Sequence, residues 1–290
     1  MLLGLAALWG ASFMFIKIGD RELDPLLLVG IRMTLGALTL VPIVLVRFGV
    51  RETVGELRRA AWRLALTGLV NSAVPIFAIS WAETRIDSGL TAIIQASAPL
   101  FTAVLAVAFV HAERVTGARL AGLVMGFGGV ALLVGVQPKG HLVAGLAVVF
   151  SALCYAVAAL WTARRMRDVQ PLVLSLGALT AASVATLPAG LTRLPERFPS
   201  SGVTAAMLAL GIAGTGLAYI LYYSILTGAG ASRGILITYL VPAVALAYGV
   251  LLLGEPLTLA AFAGLGLVLL GVALGTGGLR FARRRVALRA

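Results

Sequence analysis

The chain has 290 residues, of which 60% are apolar and 12% charged, and its mean hydropathy is +1.04. A soluble domain is roughly 45–50% apolar and about 25% charged, and a single soluble core cannot hide such an excess. A soluble globular enzyme and a disordered chain are both excluded, so the net charge of +12, which in a soluble protein would point to nucleic acid, needs another origin.

Apolar runs of about membrane-spanning length occur ten times, at 2–18, 26–46, 64–82, 88–110, 117–136, 142–163, 171–191, 203–226, 233–254 and 258–279. Each is predicted to be a helix, because lipid offers no partner for open backbone groups, and none alternates like a barrel strand. The first run begins almost at Met1 with no basic segment before it, and it reads as a retained span rather than a signal peptide. The connections are too short for a soluble domain.

Polar residues are unevenly spread over these runs. The first carries Trp9 and Ser12, the third Asn71 and Pro75, and the fourth Thr91, Gln95, Pro99 and Thr102. The sixth carries Ser151, Tyr155 and Thr162, the eighth Thr215, Tyr219 and Tyr222, and the ninth Thr238, Pro242 and Tyr248. Most steps are three, four or seven residues, so each set can share a helix face and the six faces can surround one cavity. A single Ser or Thr can equally bond its own backbone, and Asn or Gln can bridge helices. The prolines read as kinks, or as hinges or ligand contacts, and Tyr222 and Tyr223 fit an interfacial aromatic belt. Runs five and ten are nearly pure Leu, Val, Ala and Gly, with Gly122–Gly126 and Gly271–Gly275 at a spacing that lets helices pack closely. They read as scaffold, with a dimer face as the alternative.

Arg32 lies seven residues past Pro25, roughly 10 Å into the second run at the helical rise of about 1.5 Å per residue. It needs a partner or a watery cavity. Asp20, Asp24 and Glu83 lie on the same outer side, so Arg32 reads as a structural ion pair, with Glu83 as partner, or as a snorkelling side chain, or as a gate or clamp for a substrate carboxylate. No Asp or Glu falls mid-run, which predicts weak dependence on a proton gradient. The one cysteine, Cys154, is a packing residue, and the two histidines lack metal-ligand spacing. No phosphate loop, HExxH or paired Cys motif occurs, so no enzyme activity, metal or cofactor is expected.

The cations set the orientation. With the N-terminus in the cytoplasm, 16 of the 23 Lys and Arg fall inside, 6 outside, and Arg32 within the membrane. The predicted topology therefore puts both termini inside, in a bacterial inner membrane, and the basic charge becomes an orientation signal. The halves also repeat. At an offset of 142, Glu113 meets Glu255, Thr116 meets Thr258, Gly122 meets Gly264 and Gly129 meets Gly271, while Pro99 meets Pro242 at 143. GLAALW at 4–9 echoes GLAVVF at 145–150. Five spans per unit is odd, so the copies are inverted: an all-α membrane protein with repeats at 1–138 and 139–279 and a basic cytoplasmic tail at 280–290. Such folds place substrate near the midplane and work by alternating access.

LWGASFMFIK (8–17), LDPLLLVGIR (23–32) and ISWAETRIDSGLTAIIQASAPLFTAVLAVAF (79–109) resemble the first EamA-type domain of the drug/metabolite transporter superfamily. GLAVVFSALCYAVAALWTARR (145–165) and VPAVALAYGVLLLGEPLT (241–258) resemble the second. Trp9–Gly10, Arg32, Pro99, Pro242 and Gly254–Glu255 are the recognisable points, and Ala112–Glu113 departs from the Gly–Glu pair. The resemblance implies ten helices and metabolite export through a cavity lined by the six striped spans, with aromatic and neutral amino acids as the expected substrates. Other amphipathic metabolites or drugs are the alternative. The expected partners are a small molecule and the lipid bilayer, without nucleic acid, in a monomer or, alternatively, a homodimer.

Overall fold

The computed structural model describes residues 1–110, 117–135, 141–229 and 231–275. Glu113 and Thr116 of the repeat and the basic tail at 280–290 lie outside them. Among the described residues every regular element is helical. Nine helical stretches are long and apolar enough to cross a membrane: Leu2–Gly19, Pro25–Phe48, Ala61–Glu83, Ser88–Ala108, Ala118–Gly135, Leu142–Arg165, Pro171–Leu191, Ser201–Ile225 and Leu236–Leu253. The shorter apolar helix Leu259–Gly275 follows. In chain order these are spans 1 to 10, and the protein is an all-α membrane protein of ten helices.

Local sequence sets the span ends. Asp24 caps span 2, its Oδ1 accepting from Leu26 N at 2.9 Å, and Pro25 fills the first turn, where an amide N–H is not needed. Ser200 caps span 8 through Val203 N. A helix absent from the sequence reading, Val50–Arg59, lies between spans 2 and 3. Its sequence VRETVGELRR is mostly charged, so an apolar-run search passes over it, yet it buries Thr53.

Packing follows the repeat. Span 5 lies on span 10 and span 2 on span 7, each against its own repeat mate. Span 1 packs on span 9 as span 6 packs on span 4, and span 2 on span 8 as span 7 on span 3. Atomic detail agrees. A Cβ on Gly68 would stand 2.3 Å from Ala178 O, and one on Gly211 would stand 2.4 Å from Leu35 Cβ. Each of these contacts is the other displaced by 143 residues. Spans 5 and 10 meet backbone to backbone, a Cβ on Gly271 falling 2.4 Å from Gly126 Cα. The glycine faces are thus spent within the chain, as the scaffold reading expected.

The helices are not uniform along their length. Span 3 contains a π turn at Leu69–Ala73 and span 8 one at Ala209–Leu217. Spans 3 and 8 are repeat mates, so the irregularity is itself repeated. A π turn inserts extra backbone, widens the helix and frequently marks a functional site. The prolines divide in behaviour. Pro75 starts the α-helix that resumes after the first π turn, and Pro99 follows a break at Ala96–Ser97 in span 4. Its repeat mate Pro242 sits inside the continuous helix Ala231–Leu253.

Candidate substrate-binding site

Arg32 is buried, 9% exposed, where span 2 crosses the π turn of span 8. Its Nε donates to Thr215 Oγ1 at 3.0 Å, and the Thr215 hydroxyl donates to Leu210 O at 2.9 Å, five residues back. The π turn brings that carbonyl within reach, so local backbone geometry orients the hydroxyl that holds the arginine. Gly36 permits the crossing, since a Cβ there would lie 2.6 Å from Thr215 Cγ2. Tyr155 of span 6 and Tyr219 of span 8 face the guanidinium. The Tyr219 hydroxyl in turn lies close to Asn71 and Ser72 in the π turn of span 3. Tyr219, in the α-helix that resumes after the π turn of span 8, thus lies between Arg32 and the π turn of span 3.

Aromatic rings extend this cluster. Trp9 lies 5.3 Å from Tyr222 between ring centroids, Tyr222 lies 5.3 Å from Tyr223, and Tyr219 and Tyr223 are near-parallel at 6.4 Å. All four are partly buried and pack on core clusters. This corrects the belt expectation for Tyr222 and Tyr223, whose rings pack inside the bundle because span 8 turns that face toward spans 1 and 7.

The structure thus brings together Arg32, Asn71, Tyr155, Thr215 and Tyr219, with Trp9 beside the tyrosines. Ser12 is buried against Gly214 but donates to its own Leu8 O at 3.0 Å, and buried Thr91 donates to Asp87 O at 3.0 Å. Both follow the self-bonding alternative. Pro75 is buried, and Ser151 is 0% exposed with its Oγ unpartnered. Gln95 keeps a buried, unpartnered Oε1 beside the break in span 4. Thr238 and Tyr248 are half-buried, and neither is tied to the cluster by a hydrogen bond among the described residues. Ser72 was not foreseen.

The Arg32–Glu83 ion pair needs correction. Arg32 and Glu83 feel each other's charge, but Arg32 bonds Thr215, and both Glu83 oxygens lack a hydrogen-bond partner among the described residues. The reason is depth: Arg32 is a full two turns inside span 2, whereas Glu83 closes span 3.

Around Glu83 the turns following spans 1, 3, 7 and 9 are tied together. Lys17 Nζ donates to Glu83 O at 2.5 Å and Ile86 O at 2.8 Å. Ser80 Oγ donates to Asp20 Oδ1 at 2.6 Å. Glu22 accepts from Ser200 N and Oγ, both at 2.7 Å, and Arg193 pairs with Asp24 at 3.2 Å. Glu255 accepts from Ser88 N at 2.7 Å and Gly89 N at 3.0 Å, capping span 4. This gives the Gly254–Glu255 pair a physical role. Gly254 turns the chain at φ 70°, and the carboxylate folds back over Gly249, where a Cβ would stand 2.2 Å from Oε2. Burial pushes the Asp20 carboxyl up to about 7, against the lowering effect of the Ser80 bond and Lys17. At the opposite end Arg63 binds Asp168 bidentately, at 2.8 Å on each arm, beside a charged surface groove along Val50–Arg59. That groove mixes both charge signs and stands apart from the central cluster.

The EamA-like transporter family matches residues 1–135 and again 142–276. The chain belongs to this family. The two matched segments correspond to the repeat halves seen in the packing. An uncharacterized transporter of Archaeoglobus fulgidus is 29% identical over 269 residues, covering 91% of this chain and 93% of its own. A probable amino-acid metabolite efflux pump of Salmonella typhimurium is 27% identical, covering 96% and 94%. A protein of known crystal structure shares the fold at a TM-score of 0.67 and 23% identity, over 98% of this chain and 96% of that one. This EamA-like protein is therefore an integral membrane transporter by family.

Proposed function

We propose that this EamA-like protein is a secondary transporter that exports small zwitterionic metabolites, most specifically aromatic and neutral amino acids, by alternating access. The observation that carries the reading is the Arg32 cluster. Nε is the guanidinium nitrogen the protein engages, through Thr215, which leaves Nη1 and Nη2 to face a substrate carboxylate in a fork geometry. Asn71, Ser72, Tyr155 and Tyr219 supply neutral hydrogen-bonding groups, and Trp9 with Tyr222 and Tyr223 supplies aromatic surface for an apolar side chain. One arginine suits a carboxylate better than a phosphate, which calls for several cations. The Salmonella relative's name supports the same class.

In this reading the repeats, 1–138 and 139–279, rock against each other across the two π turns. Both termini lie on the cytoplasmic side of a bacterial inner membrane in this reading, which the cation bias of 16 to 6 supports. Gln95, Ser151, Thr238 and Tyr248 join the lining as the repeats move. Cells expressing the protein should tolerate a toxic aromatic analogue such as fluorophenylalanine better than control cells, and Arg32→Ala should remove the tolerance. Equal sensitivity of expressing and control cells would count against amino-acid export.

A further inference from the structure

We propose that Glu83 and Asp20 form a proton-binding site in which the two carboxylates hold one exchangeable proton beside Lys17, and that this proton is counter-transported against substrate. The second half of this statement rests on the transport reading above; the site itself does not.

The geometry starts from Glu83. It is 0% exposed, and neither carboxylate oxygen has a hydrogen-bond donor among the described residues. An ionised carboxylate buried without donors is strongly disfavoured, and it escapes that cost by taking a proton. One helical turn before it, Ser80 donates to Asp20 Oδ1, while Asp20 Oδ2 is also buried and unpartnered. Two carboxylates with orphan oxygens thus share one dry corner.

Charge counting gives the stoichiometry. Every charged group facing Glu83 can be named: Lys17 and Asp20 from span 1 and its following turn, Arg32 from span 2, and Glu255 from the turn before span 10. Span 6, which packs along the same helix, carries Cys154 and Tyr155 and ends in Arg164 and Arg165, and Asp87 follows in the next turn. Glu255 is held as an anion by the two amides it caps, and Arg32 stays a cation hydrogen-bonded to the neutral Thr215. The cations Lys17 and Arg32 thus face three carboxylates, Asp20, Glu83 and Glu255, and the Lys17 ammonium spends hydrogen bonds on the carbonyls of Glu83 and Ile86 rather than on a carboxylate. One proton makes the corner neutral. Burial displaces the Asp20 carboxyl upward, so it too can take up a proton.

Coupling follows from position. Lys17 bridges span 1 to the end of span 3, and span 3 carries the π turn that contacts Tyr219. Moving span 1 away from span 3 would admit water, stabilise both carboxylates as anions and release the proton. The sequence reading, which required a mid-run carboxylate, expected weak proton dependence. Here the helix end is itself buried, so the carboxylate need not lie at the midplane.

The full-length protein in detergent should show the infrared carbonyl band of a protonated carboxylic acid at pH 7. The band should titrate away at higher pH and be lost in Glu83→Gln. Asp20→Asn should displace the titration, and an unchanged gel-filtration profile confirms that each variant is folded. Absence of a titrating band in the wild type, or its persistence at full strength in both variants, would overturn the proton site. In proteoliposomes preloaded with phenylalanine, an imposed pH gradient should drive labelled phenylalanine uphill. Glu83→Gln should keep exchange but lose the pH drive. Exchange that ignores the pH gradient in the wild type would overturn coupling. A wild type that exchanges no phenylalanine counts against the amino-acid reading, and the infrared result alone then decides the proton site.

Discussion

At the scale of single residues, Arg32 carries most of the argument. A lysine keeps the charge at that place but cannot donate from Nε to Thr215 while presenting two parallel donors to a carboxylate. Arg32→Lys is expected to raise the apparent KM for an amino acid by about tenfold, the scale of one lost charge-assisted hydrogen bond, with a smaller effect on maximal rate. An unchanged KM would remove Arg32 from the binding site. Asp20 gives a stability prediction with a definite sign. Its folded value lies above its ordinary one, near 7 against 3.8. The stability it contributes is therefore fully present below pH 3.8 and is lost as pH rises through about 7. Melting temperature in detergent should fall across that window, and Asp20→Asn should flatten the slope; the same slope in the variant would contradict the assignment. Arg32, Asn71, Tyr155, Thr215 and Tyr219 were legible in the sequence because a polar residue inside an apolar run must face protein or water. Asp20 and Glu83 were less so. Hydropathy reads depth along one helix, whereas Glu83 is buried by neighbours that come from elsewhere in the chain.

At the scale of elements, the ten helices follow from the apolar runs and fixed cap residues, and their boundaries moved by only a few residues. The π turns were not legible. Asn71, Ser72, Gly211, Gly214 and Gly216 are small or amide residues that tolerate a widened helix, yet such residues equally suit close packing, so composition does not separate the two. The glycine contacts between spans 5 and 10 make a sharp prediction. Gly271→Leu would drive a side chain into the backbone of Gly126, and it should abolish recovery of folded protein by size-exclusion chromatography. Gly266→Ala on the same helix meets nothing within 4 Å and should behave as the wild type. Comparable recovery of both variants would refute the packing of these spans. The Val50–Arg59 helix escaped because a charged, short helix leaves no hydropathy signal.

At the scale of the whole molecule, one repeat of five helices used twice explains the contact pattern, the paired π turns and the second family match. The odd number of spans predicts that the two copies face opposite ways, the arrangement on which the proposed alternating access rests. Cysteine labelling by an impermeant reagent checks the membrane orientation. A cysteine at position 22 should react from outside the intact cell and one at position 56 should not, because one sits in the turn before span 2 and the other in the helix Val50–Arg59 after it. The reverse pattern would invert the topology. The central claim is that this family member moves amino acids through the Arg32 cluster, and counterflow tests it most directly. Purified wild-type protein in liposomes loaded with unlabelled phenylalanine should take up labelled phenylalanine transiently above equilibrium, and Arg32→Lys should need a higher concentration to do so. No counterflow with any aromatic or neutral amino acid would contradict the account.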